Sequence, residues 1–154
     1  MATRIRLQRK GRKGKPIYSL VIADQRSPRD GKFIEKVGTY NPNTNPATIN
    51  IDFDKCVDWV MKGAIPTDTC RAILSYKGVM LKKHLLVGVT KGALTEEQAN
   101  KKFEDWINEK QNKINTKKDN LDKAKKDKEK ERMEAELERN EKRKKEIQEK
   151  LASA

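Results

Sequence analysis

Hydrophobic and polar positions alternate along the first fifty residues in the way that is typical of β-strands. In residues 3–9 (TRIRLQR) apolar and polar side chains alternate strictly, so one face of this strand should be buried. Residues 17–23 (IYSLVIA) are apolar on both faces, which favours a central strand. Residues 33–40 and 48–51 continue the pattern, and the sequence therefore predicts a sheet of about four strands.

The segments between these strands carry turn-forming residues. Residues 10–16 contain two glycines and a proline, and we expect them to form a loop that ends the first strand. Residues 24–32 include the turn signal Asp30-Gly31, and residues 41–46 are rich in Asn and Pro. Both of these segments are therefore also predicted to be loops.

Two helices are predicted after the strands. Asp52 or Asp54 would cap the first, which ends at Gly63, and the second starts at residues 66–68 and stops at Gly78. The apolar residues at helical spacing are Phe53, Cys56, Val57, Val60 and Met61, then Cys70, Ile73 and Leu74. We therefore expect an α+β fold in which both helices pack on the sheet.

The two cysteines and the single histidine are predicted to be structural. Cys56 and Cys70 are too few for a disulfide framework, which favours a reducing cytosol, and on apolar stripes we expect them to be small core residues. His84 has no recognisable partner, so we expect a packing or surface role. A zinc site needs about four Cys or His ligands and the chain has only these three, so we expect no metal bound by thiolate and imidazole. We also expect no cofactor.

The C-terminal part differs from the rest in composition. A capping box, Thr95-Glu96-Glu97-Gln98, starts a further helix, and beyond about residue 115 apolar residues become sparse without any sustained heptad. We predict a folded core over residues 1–80 and a helical extension over residues 81–115. Residues 116–154 form a charged Lys/Glu-rich tail that is helical or disordered.

The charge is unevenly distributed. The chain carries a formal net charge of +13 and only 34% hydrophobic residues, against about 45–50% in an average domain. Residues 1–40 contain eleven Lys/Arg and three acids, which is more than half of the excess, and this favours nucleic acid as a partner. The longest apolar run, residues 20–23, is far too short to cross a bilayer, and the N-terminal residues lack the apolar stretch of a secretory signal.

Two predicted loops concentrate basic residues beside glycines. The basic residues are Arg9, Lys10, Arg12, Lys13 and Lys15 in the first loop and Arg26, Arg29 and Lys32 in the second. Glycine lets a backbone approach a phosphate chain closely, and arginine binds phosphate oxygens in a forked geometry. These loops are predicted to bind RNA by its backbone and shape. Nearby, Phe33 is expected in the core, while Tyr40 is equally compatible with core packing and with base stacking.

An enzyme is the alternative that the same segment allows. Asp24, Asp30 and Glu35 would supply carboxylates for Mg²⁺ in a nuclease. Each of them lies among Arg and Lys, however, where salt bridges and turns account for it without metal. Residues 11–15 lack the spacing and the hydroxyl residue of a P-loop, and no serine lies in a recognisable nucleophile elbow. We therefore expect no catalysis and no small-molecule substrate.

Many positions in residues 1–80 follow one pattern in order and spacing. They are Ile5-Arg6-Leu7, Arg9, Gly11, Pro16, Tyr18, Val21, Ala23-Asp24, Arg26, Arg29-Asp30-Gly31, Phe33-Ile34-Glu35, Val37-Gly38, Tyr40-Asn41-Pro42, Pro66-Thr67-Asp68-Thr69 and Arg71. This pattern resembles the bacterial small-subunit ribosomal protein 16 family.

The resemblance implies a compact α+β domain with a mixed sheet, acting as a non-catalytic structural component of the small ribosomal subunit in the cytoplasm. It implies small-subunit ribosomal RNA and neighbouring ribosomal proteins as partners, and a role in subunit assembly. Carried over by position, the RNA-facing residues are Arg4, Arg6, Arg9, Arg12, Lys13, Arg26, Arg29 and Lys32. Asp24 and Glu35 are expected to orient these arginines. Some members of the family carry similar extensions, and this one has three open destinations: ribosomal RNA, a neighbouring protein, or solvent.

Overall fold

A computed structural model describes residues 2–152, so the last two residues of the predicted tail lie outside the described part. The strands are β1 (Thr3–Arg12), β2 (Lys15–Asp24), β3 (Glu35–Asn41), β4 (Thr48–Ile51) and β5 (Ile65–Pro66). The helices are α1 (Phe53–Met61), α2 (Asp68–Tyr76), α3 (Val79–Thr90) and α4 (Glu96–Ala152). The chain forms two compact units, Met1–Asn108 and Glu109–Ala154.

The five strands form one sheet in the order β4-β3-β2-β1-β5. All neighbouring strands are antiparallel except β1 and β5, which pair in parallel through Arg4 with Ile65 and Ile5 with Pro66. The sheet is therefore mixed, and the predicted α+β class is confirmed. The sequence predicts about four strands because β5 has two residues, too few to show any periodicity.

The prediction that residues 10–16 form a loop is wrong. Strand β1 continues to Arg12 and β2 begins at Lys15, and these two residues pair across a turn of two residues. Gly11 lies inside the ladder with φ +87°, where an added Cβ would stand 2.6 Å from the Lys15 carbonyl oxygen. Glycine here permits a close approach of two strands. In the sequence alone, such a glycine cannot be distinguished from a glycine that marks a loop.

The main core lies between one face of the sheet and helices α1 to α3. Its most deeply buried members are Ile5, Leu20, Ile22, Val37, Cys56, Val60, Cys70, Leu74 and Val79. Helix α1 starts as predicted, because the Asp52 carboxylate accepts a hydrogen bond from the Lys55 backbone N–H at 3.3 Å. The chain leaves α2 through Gly78, at φ +87°.

The predictions for the cysteines and the histidine are confirmed. Cys56 and Cys70 are unpaired and fully buried, while His84 is exposed on α3. Burial raises the pKa of the Cys56 thiol to about 12 and also raises that of Cys70. Both groups are therefore uncharged thiols at neutral pH, and they pack as small apolar side chains.

The first turns of α4 complete the core of residues 2–108. The predicted capping box is present, with Thr95 and Gln98 exchanging hydrogen bonds of 3.4 Å between side chain and backbone. Phe103 packs against Phe53 with ring centroids 5.5 Å apart, and Trp106 closes over Gly78, where an added Cβ would lie 2.6 Å from the indole ring. This part of the helix is therefore fixed by aromatic contacts.

Candidate nucleic-acid interface

The face of the sheet turned away from the helices is covered by residues 25–34, here called the anchored loop. Val21 and Ala23 point to this face, because they pair with Arg6 and Arg4 of β1 and paired residues share a face. Both are at most 1% exposed. A sheet of this kind usually leaves one face in water, but here the anchored loop covers a second, smaller buried region that contains Val21 and Ala23.

Side chains of β1 fix the anchored loop in place. The Arg6 guanidinium donates to the carbonyl oxygens of Ser27 and Pro28, each at 2.6 Å, and the Gln8 amide donates to the Gly31 carbonyl at 3.2 Å. Charge-assisted hydrogen bonds of this type contribute about 1.5–3 kcal/mol. The resemblance implies that Arg6 faces RNA, but two of its three guanidinium nitrogens donate hydrogen bonds within the protein.

Asp30 joins the anchored loop to the edge of β1. Its carboxylate accepts hydrogen bonds from the Arg9 backbone N–H and from the Arg29 Nε, both at 3.0 Å. The Arg29 contact lowers the pKa of Asp30, and the same contact raises the pKa of Arg29. The structure thus holds the exposed Arg29 beside Arg9, although the two are twenty positions apart in sequence.

The other two acidic residues are engaged separately. Asp24 accepts a hydrogen bond from the Arg26 backbone N–H at 2.8 Å, which closes a turn. Glu35 accepts from the Lys55 Nζ and from the Trp59 indole N–H, each at 2.8 Å, and the lysine contact is the main cause that lowers its pKa. The expectation that Glu35 orients an arginine is wrong, because its partners lie on α1.

The three carboxylates do not form a metal site. Within the described part of the chain, no three His, Cys, Asp or Glu side chains come together in a way that would hold a metal ion. Asp24 closes a turn, Asp30 forms an ion pair with Arg29, and Glu35 forms one with Lys55 of α1.

The tip of the β1–β2 hairpin, residues 9–15, carries five basic residues and is here called the basic hairpin. All of its residues are exposed. Arg26 lies toward the opposite end of the hairpin, beside Asp24, which pairs with Thr3. At about 3.3 Å per residue, this end is about 20 Å along β1 from Arg9. The structure therefore brings Arg29 to the basic hairpin and keeps Arg26 apart from it, while Lys32 is exposed farther along the anchored loop.

The aromatic residues nearby divide into two groups. Tyr40 is half-buried against the core and faces Tyr18, with ring centroids 6.1 Å apart. Phe33 is 38% exposed and Ile34 is 59% exposed. The expectation that Phe33 lies in the core is wrong, because β3 begins only at Glu35. Phe33 and Ile34 thus form an apolar patch on the anchored loop. The nearby Lys32 and Lys36 are the only features of the sequence that could have indicated that this segment is exposed.

These features define a small α+β domain that presents an exposed basic hairpin and a basic loop pinned beside it, a surface that fits a polyanion. The model of the family described as ribosomal protein S16 matches residues 9–67. In the described part of the chain, no helix has both the length and the apolar character needed to cross a bilayer.

Curated relatives agree with the family match. The chain is 64% identical over 116 residues to a protein of Phocaeicola vulgatus and 61% identical over 111 residues to one of Cytophaga hutchinsonii. These matches cover 75% and 72% of this chain and 63% of each relative, so the chain spans less than two thirds of their length. A protein of Azobacteroides pseudotrichonymphae is 60% identical over 119 residues, covering 75% of this chain and 72% of the relative.

All three relatives are named small ribosomal subunit protein bS16. The chain belongs to the ribosomal protein S16 family, which confirms the family resemblance. The comparisons give no support to the nuclease alternative.

Proposed function

We propose that this chain is a structural, non-catalytic constituent of the bacterial small ribosomal subunit in the cytoplasm. It binds small-subunit ribosomal RNA, contacts neighbouring ribosomal proteins and supports assembly of the subunit. The observation that carries the proposal is that a member of a ribosomal protein family exposes every residue of its basic hairpin.

The basic hairpin, together with Arg29 and Lys32 of the anchored loop, forms the main RNA-binding surface in this proposal. Its side chains neutralise phosphates, and Gly14, at positive φ with open space beside it, lets the turn of the hairpin come close to the RNA. Arg26, near the other end of the hairpin, binds a separate stretch of backbone. Such contacts hold RNA by shape and phosphate positions rather than by base edges.

Arg4, Arg6 and Tyr40 have a different place in the proposal. Arg6 acts through the anchored loop that it holds, while Arg4 is half-buried next to β5 and presents only part of its guanidinium. The Nε atoms of Arg4 and Arg6 are buried without a hydrogen-bond partner among the described residues. Tyr40 is half-buried, so only the exposed part of its ring is available to RNA.

Sucrose-gradient sedimentation of lysates from cells that express the chain tests this function. A tagged chain should co-sediment with small subunits in a sucrose gradient, and free sedimentation at all growth phases would contradict the proposal. Replacing Lys10, Arg12, Lys13 and Lys15 by Ala should reduce incorporation and lower the salt slope of RNA binding by about 1 per residue.

A matched control removes the same charge elsewhere. Lys77, Lys91, Lys101 and Lys102 are also exposed, and their replacement by Ala lowers the net charge equally. The control should keep normal incorporation. Equal losses in the two variants would show that net charge, and not the basic hairpin, directs the chain to the subunit.

A further inference from the structure

The charges of α4 are segregated around the helix. An α-helix turns by about 100° per residue, and one face of residues 109–145 presents fourteen side chains within about 60° of the direction of Lys110. Nine are basic, four are apolar and one, Glu131, is acidic. The nine basic residues, here called the basic stripe, are Lys110, Lys113, Lys117, Lys125, Lys128, Arg132, Arg139, Lys142 and Arg143. The apolar residues among them are Ile114, Leu121, Ala124 and Ala135.

The opposite face of the same helix has no charge excess. Within about 60° of the opposite direction, four lysines are matched by four acids. The lysines are Lys123, Lys126, Lys130 and Lys144, and the acids are Asp119, Asp122, Glu134 and Glu141. The basic stripe therefore does not follow from lysine-rich composition alone. It reflects the placement of lysine and arginine at helical spacing on one side.

The basic stripe runs parallel to the helix axis. Lys110 and Lys128, and likewise Lys125 and Arg143, are eighteen residues apart, which is five whole turns. The stripe therefore does not wind around the helix. From Lys110 to Arg143 it extends about 50 Å at 1.5 Å per residue.

Like charges are neighbours along the stripe, and this has a cost. Lys125, Lys128 and Arg132 follow at spacings of three and four residues, where each like-charge pair destabilises a helix by about 0.2–0.5 kcal/mol. The acidic residues at the same spacings, Asp122, Glu129, Glu131 and Glu136, offset part of this cost. Lys113 pairs with Glu109 at 3.4 Å. Within the described part of the chain, no ion pair is formed by Lys117, Lys125, Lys128 or Arg132. A bound row of anions would reduce the repulsion that remains.

We propose that the basic stripe binds the phosphate backbone of a double-stranded RNA segment. The inference rests on the proposed function in taking RNA as the polyanion. A straight row of positive charge fits the regular phosphates of a rigid duplex, which proteins recognise largely by backbone and shape. Residues 109–154 contain no Phe, Trp or Tyr, so they lack the stacking side chains with which proteins hold single-stranded bases.

Two variants of the full chain, equal in charge and in number of substitutions, test the stripe. The stripe variant replaces Lys117, Lys125, Lys128 and Arg132 by Ala, and the control replaces Lys123, Lys126, Lys130 and Lys144 by Ala. Alanine favours helix, so circular dichroism should show unchanged helix content in both. Binding to an RNA duplex of about 20 base pairs and arbitrary sequence is measured over a range of salt concentrations.

The expected result is a salt slope that falls by about 3 in the stripe variant and by less than about 1 in the control. Equal falls would show a response to net charge alone, and no fall in either would show that the stripe does not bind duplex RNA; both overturn the inference. Self-association of the chain that only the stripe variant abolishes would assign the stripe to a second copy and also overturn it. Incorporation into small subunits separates the two proposals, since failure to incorporate contradicts the function and an unchanged salt slope contradicts only the stripe.

Discussion

The basic hairpin and the basic stripe both concentrate positive charge, but by different physical means. In the hairpin region, contacts between distant parts of the chain place the charges: Asp30 links Arg29 to the backbone of Arg9. In the stripe, a single helix places them through its own periodicity. The first arrangement requires an intact fold, whereas the second requires only that residues 109–145 be helical.

Charge counts along the chain do not reveal how the charges of the tail are arranged around its helix. Residues 1–40 stand out because basic residues outnumber acidic ones, while the tail is nearly balanced in sequence. Balance along the chain does not mean balance around the helix, because residues 110 and 117 share a face that residue 119 does not. The charge of a helix is therefore best assessed face by face.

The largest expected difference between the two regions is in their response to loss of a leucine. Leu74 is fully buried in the core, whereas Leu137 is 59% exposed on α4. Leu74→Ala should lower the free energy of unfolding by about 2–5 kcal/mol, because it leaves a cavity. Leu137→Ala should change it by less than about 0.5 kcal/mol.

Denaturant titration followed by tryptophan fluorescence measures both variants, since Trp59 and Trp106 lie in residues 2–108. A loss below about 1 kcal/mol in Leu74→Ala would contradict the assigned core. A comparable loss in Leu137→Ala would show that the tail is packed rather than solvated.

A smaller effect should separate residues that shape the RNA surface from residues that touch RNA. Arg6→Ala removes two hydrogen bonds to the anchored loop and should cost about 1.5–3 kcal/mol of stability. Because the loop carries Arg29, this variant should also weaken RNA binding. Arg12→Ala should weaken RNA binding while leaving stability within about 0.5 kcal/mol, since Arg12 is exposed.

Denaturant titration and RNA affinity, measured together for the two variants, distinguish the roles. Arg6→Lys, which keeps the charge but loses the forked donor, should resemble Arg6→Ala in stability. If Arg6→Ala is as stable as the unmodified chain, the anchored loop does not depend on this side chain.

Local signals account for the parts of the fold that the sequence predicts well. The cap at Asp52 and the glycine stops at residues 63 and 78 act within a few residues of the chain, so α1 and α2 are predicted almost to their ends. The same holds for the capping box of α4. The loop prediction for residues 10–16 fails because glycines and lysines are compatible with both a loop and a tight hairpin. Only the pairing of Arg12 with Lys15 distinguishes the two.

The candidate site is only partly predictable for a similar reason. The basic residues are evident from composition, but the binding of Arg6 to Ser27 joins residues twenty-one apart and leaves no local pattern. The exposure of Phe33 likewise depends on where β3 begins to pair. Long-range contacts therefore determine which charged side chains face outward and which hold the structure.

The smallest expected effect is a loss of stability at acidic pH, and it should be confined to the folded core. Contacts with Lys55 and Trp59 lower the pKa of Glu35 below its ordinary value of 4.5. A carboxylate with a lowered pKa stabilises the fold above its unfolded pKa, and this contribution is lost as the pH falls from 4.5 through the folded pKa. Trp59 fluorescence should therefore change in this acidic range before the core unfolds, and Glu35→Gln should remove that early change because an amide does not titrate.

The helix content of a chain with Lys113→Ala, which lacks the ion pair with Glu109, should have the same acid profile as the unmodified chain, since this exposed pair contributes little. An early fluorescence change that survives in Glu35→Gln would assign it to another carboxylate and would separate Glu35 from the stability of α1.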